Sequence, residues 1–160
     1  MASSVKNLNE HSEHGLLSIE NKKVAVLVSE YHNDITEALF EGVKETLLEY
    51  KLPESALIKK YLPGAYELTL GAQYMAADES VDAVICLGCV IMGETKHFDF
   101  ICEAVAKGLT DVSLKYNKPV IFGVLTPNTV EQAKDRAGGK HGNKGVEAAI
   151  AAIKMIHFMD

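Results

Sequence analysis

The sequence predicts an α/β domain built as a three-layer sandwich, a four-stranded parallel sheet flanked by helices on both faces. Three observations predict it. Short apolar runs alternate with helix-period segments four times along the chain, the pattern of a parallel sheet joined by helical crossovers. The runs are near-continuous in apolar residues rather than alternating, as strands are when both faces are covered. The length of 160 residues suits one domain with a full core of its own.

Each element follows from local signals. Residues 1–21 are polar and carry Glu10, Glu13 and Glu20, so they read as a mobile tail before a single domain over 22–160. Val24–Val28 is the first strand. Asp34-Ile35-Thr36-Glu37 reads as a capping box, and Ile35, Leu39, Val43 and Leu47 then recur at helical spacing. Pro53 falls in the connection to a second strand over Ala56–Tyr61, which Pro63-Gly64 stops. A shorter helix is expected over Tyr66–Ala77, with Leu68, Ala72 and Met75 on one side. The third strand is Ala83–Leu87, followed by a loop from Gly88 to Lys96 and a long helix from His97 to Tyr116. Pro119 precedes the fourth strand, Val120–Leu125. Thr129-x-x-Gln132 is a second capping box, for a helix expected to end near Ala137-Gly138-Gly139. Asn143–His157 forms the last helix, with Val146, Ala149, Ile150 and Ile153 inward.

Composition narrows the function. A net charge of −6 argues against a general nucleic-acid binder, which needs a basic field. No apolar run approaches the ~20 residues of a membrane span. The first twenty residues have neither the apolar stretch of a secretory signal nor the Arg-rich, acid-poor character of a transit peptide. Three cysteines without framework spacing suit a reducing compartment, so the expected location is cytoplasmic. Cys86 and Cys89 form a lone C-x-x-C with too few soft ligands nearby for zinc, and Cys86 reads as a small core residue.

In open parallel sheets ligands bind beyond the carboxyl ends of the strands. The segments at those ends hold the unusual chemistry here: Ser29–Asn33, Leu62–Glu67, Gly88–His97 and Thr126–Thr129, with Arg136 one helix further on. Together they suit a flat polar heterocycle beside an anion. Gly93-Glu94-Thr95 stands before a helix N-terminus, whose free amides and dipole favour an anion, although a plain cap would use the same residues. The Glu94 carboxylate would have to point away from such an anion. Arg136 could clamp a phosphate with its planar fork. His97 is either a proton carrier or an idle helix-terminal histidine, whereas His11, His14, His141 and His157 have no evident task. Tyr31 could stack on a ring or fill a rim. Glu67 could bond substrate hydroxyls or merely complement a helix dipole. Phe122 reads as core, and Cys89 after its strand could be an activated nucleophile.

The segments LPGAYEL, GCVIMGETKHFDFI and GVLTPNTVEQAKDRAGGKHGNKGVEAA, with SEYHNDIT after the first strand, are similar to the signature blocks of the lumazine synthase family. The resemblance spans Lys22 to Met155 in the right order. It implies a flavodoxin-like sandwich of lumazine synthase type and a transferase of riboflavin biosynthesis. Such an enzyme condenses 5-amino-6-(D-ribitylamino)uracil with 3,4-dihydroxy-2-butanone 4-phosphate to 6,7-dimethyl-8-ribityllumazine, releasing phosphate and water, with no metal and no organic cofactor. It implies His97 as catalytic, Glu94, Thr95 and Arg136 at the phosphate, and Tyr31 stacked on the pyrimidinedione. It further implies Ala65, Tyr66 and Glu67 along the ribityl chain, and Cys89, Val90 and Ile91 at the heterocycle edge. Lys144 would lie near the heterocycle, and Phe122 would come from a neighbouring subunit. Expected partners are the two small-molecule substrates and further copies of the chain, in pentamers that close into a 60-subunit icosahedral shell; no nucleic acid and no membrane are expected.

The sequence departs from the family at a few positions. Tyr31 stands where tryptophan or phenylalanine is commoner, His32 replaces asparagine, Met92 replaces arginine, and Lys96 replaces threonine or proline. Other readings are a non-catalytic flavin- or lumazine-binding module of the same fold, a cysteine enzyme using Cys89, and a shell protein without activity. The first lacks a Ser/Thr/Gly-rich phosphate loop after strand one.

Overall fold

The computed structural model describes residues 18–158. Its main sheet has four parallel strands in the order β2-β1-β3-β4: β1 (Val24–Ser29), β2 (Leu57–Leu62), β3 (Ala83–Cys89) and β4 (Val120–Leu125). The central strands β1 and β3 are buried along their whole length, which is why they read as unbroken apolar runs. Helices α1 (Asn33–Glu49) and α5 (Lys144–Ile156) cover one face, and α2 (Leu68–Ala77) and α3 (His97–Tyr116) the other.

The pleat divides β1 between two cores. Val24, Val26 and Val28 meet Leu39, Val43 and Leu47 of α1 and Ile153 of α5. Ala25 and Leu27 meet Leu68 and Ala72 of α2 and Val105 and Leu109 of α3. Edge strand β2 is tied to α1 through side chains. Glu37 accepts from Lys59 Nζ at 2.7 Å and from the Tyr61 hydroxyl at 2.8 Å, while the Lys59 ammonium lies 3.7 Å from the Phe40 ring centre.

Several sequence expectations need adjustment. The Asp34–Glu37 capping box does not form. The chain enters α1 through His32, whose φ of 57° places it in the left-handed region, and Asp34 lies in the first turn without a capping bond. Glu37 is engaged by Lys59 and Tyr61 instead. The Thr129 box does form, with Gln132 N donating to Thr129 Oγ1 at 3.2 Å and Gln132 Oε1 accepting from Asn128 N at 2.8 Å. Its helix α4 (Val130–Asp135) stops earlier than expected, because Ala137–Gly139 (β5) turns back on Gly142–Asn143 (β6) as a small antiparallel hairpin. Gly138 and Gly142, at φ 100° and 77°, supply the positive φ that this turn needs. Of the expected tail, residues 1–17 lie outside the described residues. Ile19, three residues before the boundary read from sequence, is fully buried and donates its amide to the Tyr50 carbonyl at 3.0 Å. Among the described residues no helix is long and apolar enough to cross a membrane, and no group of three His, Cys, Asp or Glu side chains is placed to hold a metal ion.

Candidate active site

The carboxyl ends of β1, β2 and β3 open into a cleft of about 730 Å³. Tyr31 and His32 enter it from the turn after β1, Gly64–Glu67 from the turn after β2, and Cys89–Ile91 from the end of β3. His97, at the start of α3, faces them, with Phe100 and Ile101 one turn on. Eight residues singled out in the sequence therefore share one cleft: Tyr31, Ala65, Tyr66, Glu67, Cys89, Val90, Ile91 and His97.

Local backbone chemistry builds each wall. Gly64 permits a close approach, since a Cβ there would sit 3.2 Å from both Tyr31 Cδ2 and Glu67 Oε2. The aromatic ring and the carboxylate thus close over a residue with no side chain. The Tyr31 ring itself is 70% exposed, a flat face offered to the cleft rather than a core aromatic. Beyond β3 the chain stays pinned to the segment after β4, through Val90 N to Leu125 O at 2.8 Å and Met92 N to Pro127 O at 3.0 Å. The intervening amide of Ile91 lies on the other side of this segment and has no partner among the described residues.

Cys89 is not an activated nucleophile. Burial, and secondarily the negative charge of Asp34, push its thiol up to about 11, so the thiolate is scarce at neutral pH. Cys86 is fully buried in the sheet and its thiol is also pushed far up, as a core residue's would be.

Glu94 and Thr95 lie in the exposed loop before α3 and line neither this cleft nor the one described next. Thr95 Oγ1 accepts from His97 N at 3.4 Å, so Thr95 caps the helix start weakly. Nothing approaches Gly93 within 4 Å of where its Cβ would be.

A second cleft of about 580 Å³ lies at the end of β4, between α4, the hairpin and α5. It holds Phe122, Arg136 and Lys144. Within one chain, then, Arg136 is not brought beside Thr95, and the two groups of predicted residues occupy separate clefts. Phe122 lies on edge strand β4 with 36% of its surface exposed, not in the core.

Glu147 organises this second cleft, and the sequence reading missed it. Its Oε1 accepts from Arg136 NH2 at 2.6 Å and its Oε2 from Lys144 Nζ at 3.1 Å. Arg136 NH1 also donates to the His141 carbonyl. Burial of Glu147 opposes its ionisation, but the bonds from Arg136 and Lys144 outweigh it and hold the carboxyl below its usual value. The available signal was the three-residue spacing of Lys144 and Glu147, which places both on one face of a helix. His32, Phe100 and Ile101 were also missed as cleft residues. They announce themselves only once the strand ends are brought together.

Residues 21–160 match the family model for 6,7-dimethyl-8-ribityllumazine synthase. A protein of that name from Cytophaga hutchinsonii is 55% identical over 156 residues, 98% of each chain. Its namesake from Flavobacterium johnsoniae is 47% identical over 157 residues, covering 98% of this chain and 83% of the relative. Another from Parabacteroides distasonis is 43% identical over 158 residues, 99% of each. With the family model matching nearly the whole chain and the sheet carrying its open cleft, the chain belongs to the 6,7-dimethyl-8-ribityllumazine synthase family.

Proposed function

We propose that this chain is a transferase of riboflavin biosynthesis, joining ribitylaminouracil to dihydroxybutanone phosphate with loss of phosphate and water. The observation that carries this reading is the division of labour between the clefts. The first has a stacking ring, a carboxylate and a histidine; the second has two cations and an aromatic. In the reading proposed, Tyr31 stacks on the pyrimidinedione, the Ile91 amide and its neighbours Cys89 and Val90 meet the heterocycle edge, and Glu67 with Ala65 and Tyr66 holds the ribityl hydroxyls.

The amine attacks the ketone, water leaves to give an imine, phosphate is eliminated, and ring closure with loss of water completes the lumazine. His97 carries protons between these steps. Arg136, from a neighbouring copy, completes the phosphate site begun by Glu94 and Thr95. Phe122 and Lys144 come with it to close the heterocycle pocket. Holding two substrates in register accounts for much of the rate, and no metal or organic cofactor is assigned a role.

This reading requires assembly, and we assign pentamers closing into a 60-subunit shell. Exposed Tyr66, Leu70 and Tyr74 recur every four residues along one side of α2 and the turn before it, which suits burial against another copy. The short turn before the last helix, RAGGKHGNKG, is the sequence feature that favours the shell over a free pentamer. The three free thiols suit a cytoplasmic location.

The test is to mix the protein with both substrates and follow lumazine absorption and fluorescence. His97→Ala should slow turnover by ~10²-fold or more. Arg136→Ala should raise KM for the phosphate substrate by about ten-fold or more. Absence of the lumazine overturns the activity, and an unchanged KM in Arg136→Ala overturns the anion assignment. Light scattering that finds only monomers overturns the shared site; pentamers alone overturn the shell.

A further inference from the structure

The corner carrying Arg136 and Lys144 is locked to the middle of α1 by one side chain. Asn143 ends β6 and caps α5, its Oδ1 accepting from Gly145 N at 2.7 Å. Its Nδ2 donates to the Ala38 carbonyl of α1 at 2.9 Å, across 105 residues of sequence. The carboxamide occupies a seat made for it: a Cβ at Gly42 would sit 2.7 Å from Asn143 Cγ and Oδ1. Gly145 completes the lock, since a Cβ there would overlap the Leu39 carbonyl oxygen. The adjoining turn is closed by Lys144 N donating to Arg136 O at 2.8 Å.

We propose that Asn143 is the positioning residue of the cationic cleft, fixing through its contact with α1 where Arg136 and Lys144 point. Both cations stand on backbone that Asn143 anchors. Lys144 is its direct neighbour, and Arg136 is bonded to Lys144 through the main chain. The Glu147 carboxylate that aligns both side chains stands on the same capped first turn. When Asn143 is replaced, α5 keeps its cap only if the new side chain supplies an oxygen in place of Oδ1, and loss of the Nδ2 tether to Ala38 frees the hairpin to shift relative to the sheet. A misplacement of about 1 Å can cost ~10²-fold in a positioned site. The inference rests on the assignment of Arg136 to the phosphate group.

The experiment compares Asn143→Ser, Gly42→Ala, their double variant and Arg136→Ala in the assembled protein. KM for each substrate, kcat and thermal stability are measured. Serine keeps a capping oxygen and loses the reach to Ala38, whereas alanine at Gly42 pushes on an intact Asn143 from below. Each single variant should raise KM for the phosphate substrate about ten-fold, with a smaller rise for the ribitylamine through Lys144. The double variant should be no worse than Asn143→Ser alone, because the smaller serine vacates the space that the alanine needs. If Arg136→Ala raises the phosphate KM but folded Asn143→Ser and Gly42→Ala do not, or if the two substrates' KM values rise by the same factor, the positioning role is wrong. If Arg136→Ala leaves that KM unchanged, the underlying anion assignment fails instead.

Discussion

Replacing Glu147 by glutamine tests whether the second cleft is an electrostatic device. The substitution keeps the shape and removes the charge that two cations share, at 2.6 Å from Arg136 and 3.1 Å from Lys144. Breaking a fully buried pair costs about 3–5 kcal/mol, and an exposed pair contributes at most about 1 kcal/mol. Here the carboxylate is nearly buried, with 11% of its side chain exposed, against 18% for Arg136 and 31% for Lys144. An intermediate loss of about 2 kcal/mol follows. For a domain of this size that lowers Tm by about 4–8 °C.

The assay is thermal unfolding at fixed protein concentration, since the proposed assembly would make Tm depend on it. The pH dependence has a definite sign. The carboxyl is held below its usual value in the folded chain. Its stabilisation is therefore full above the unfolded pKa of about 4.3 and is lost as pH falls through the lower folded value. The gap between wild type and Glu147→Gln should be constant from pH 6 to 8 and close toward the acid limit. Equal Tm values at neutral pH, or a gap unchanged in acid, would refute the charge-pair account.

Two further outcomes follow from the first cleft. Cys89→Ala should retain activity, and Cys89 should resist alkylation at pH 8, because burial holds its thiol up at about 11; loss of turnover with intact binding would revive a nucleophilic role. Gly64→Ala should leave the free energy of unfolding within about 0.5 kcal/mol of wild type, because the atoms nearest the new methyl belong to the exposed Tyr31 ring edge and the Glu67 carboxylate, which can give way. It should nonetheless raise KM for the ribitylamine several-fold by pushing ring and carboxylate apart. An unchanged KM would remove Gly64 from the site.

Most of the fold was legible because its signals are local. Val24–Ser29 and Ala83–Cys89 are apolar without interruption since both their faces are covered. The α3 helix begins at His97 and ends at Tyr116, as its periodicity predicts. What was not legible depended on distant partners. Asp34 and Glu37 have the spacing of a capping box, but Lys59 and Tyr61, twenty-two and twenty-four residues away, compete for Glu37 and win. The hairpin over 137–143 is too short for any strand period to register, and only its glycines hint at it. Glu147 acquires its role only because the fold places Arg136, eleven residues away, against it.

The strand order explains why the candidate site falls in two. From β1 the chain moves outward to β2, then crosses back over β1 to β3 and on to β4. The reversal leaves a crevice at the carboxyl ends of β1 and β3, where helices depart to opposite faces. Tyr31 and Cys89 follow those two strands, and the turn after β2 and the start of α3 complete the first cleft around them. The end of β4 borders no such reversal. Its Val124 and Leu125 are buried while Phe122 is exposed on this edge strand, and Arg136 and Lys144 are carried beyond it at the entry to the hairpin and the start of α5. Within one copy the two cations therefore line a cleft apart from Tyr31 and His97. Under the proposed shared site, dilution to monomers should abolish turnover while leaving the first cleft's affinity for a ribitylated heterocycle measurable.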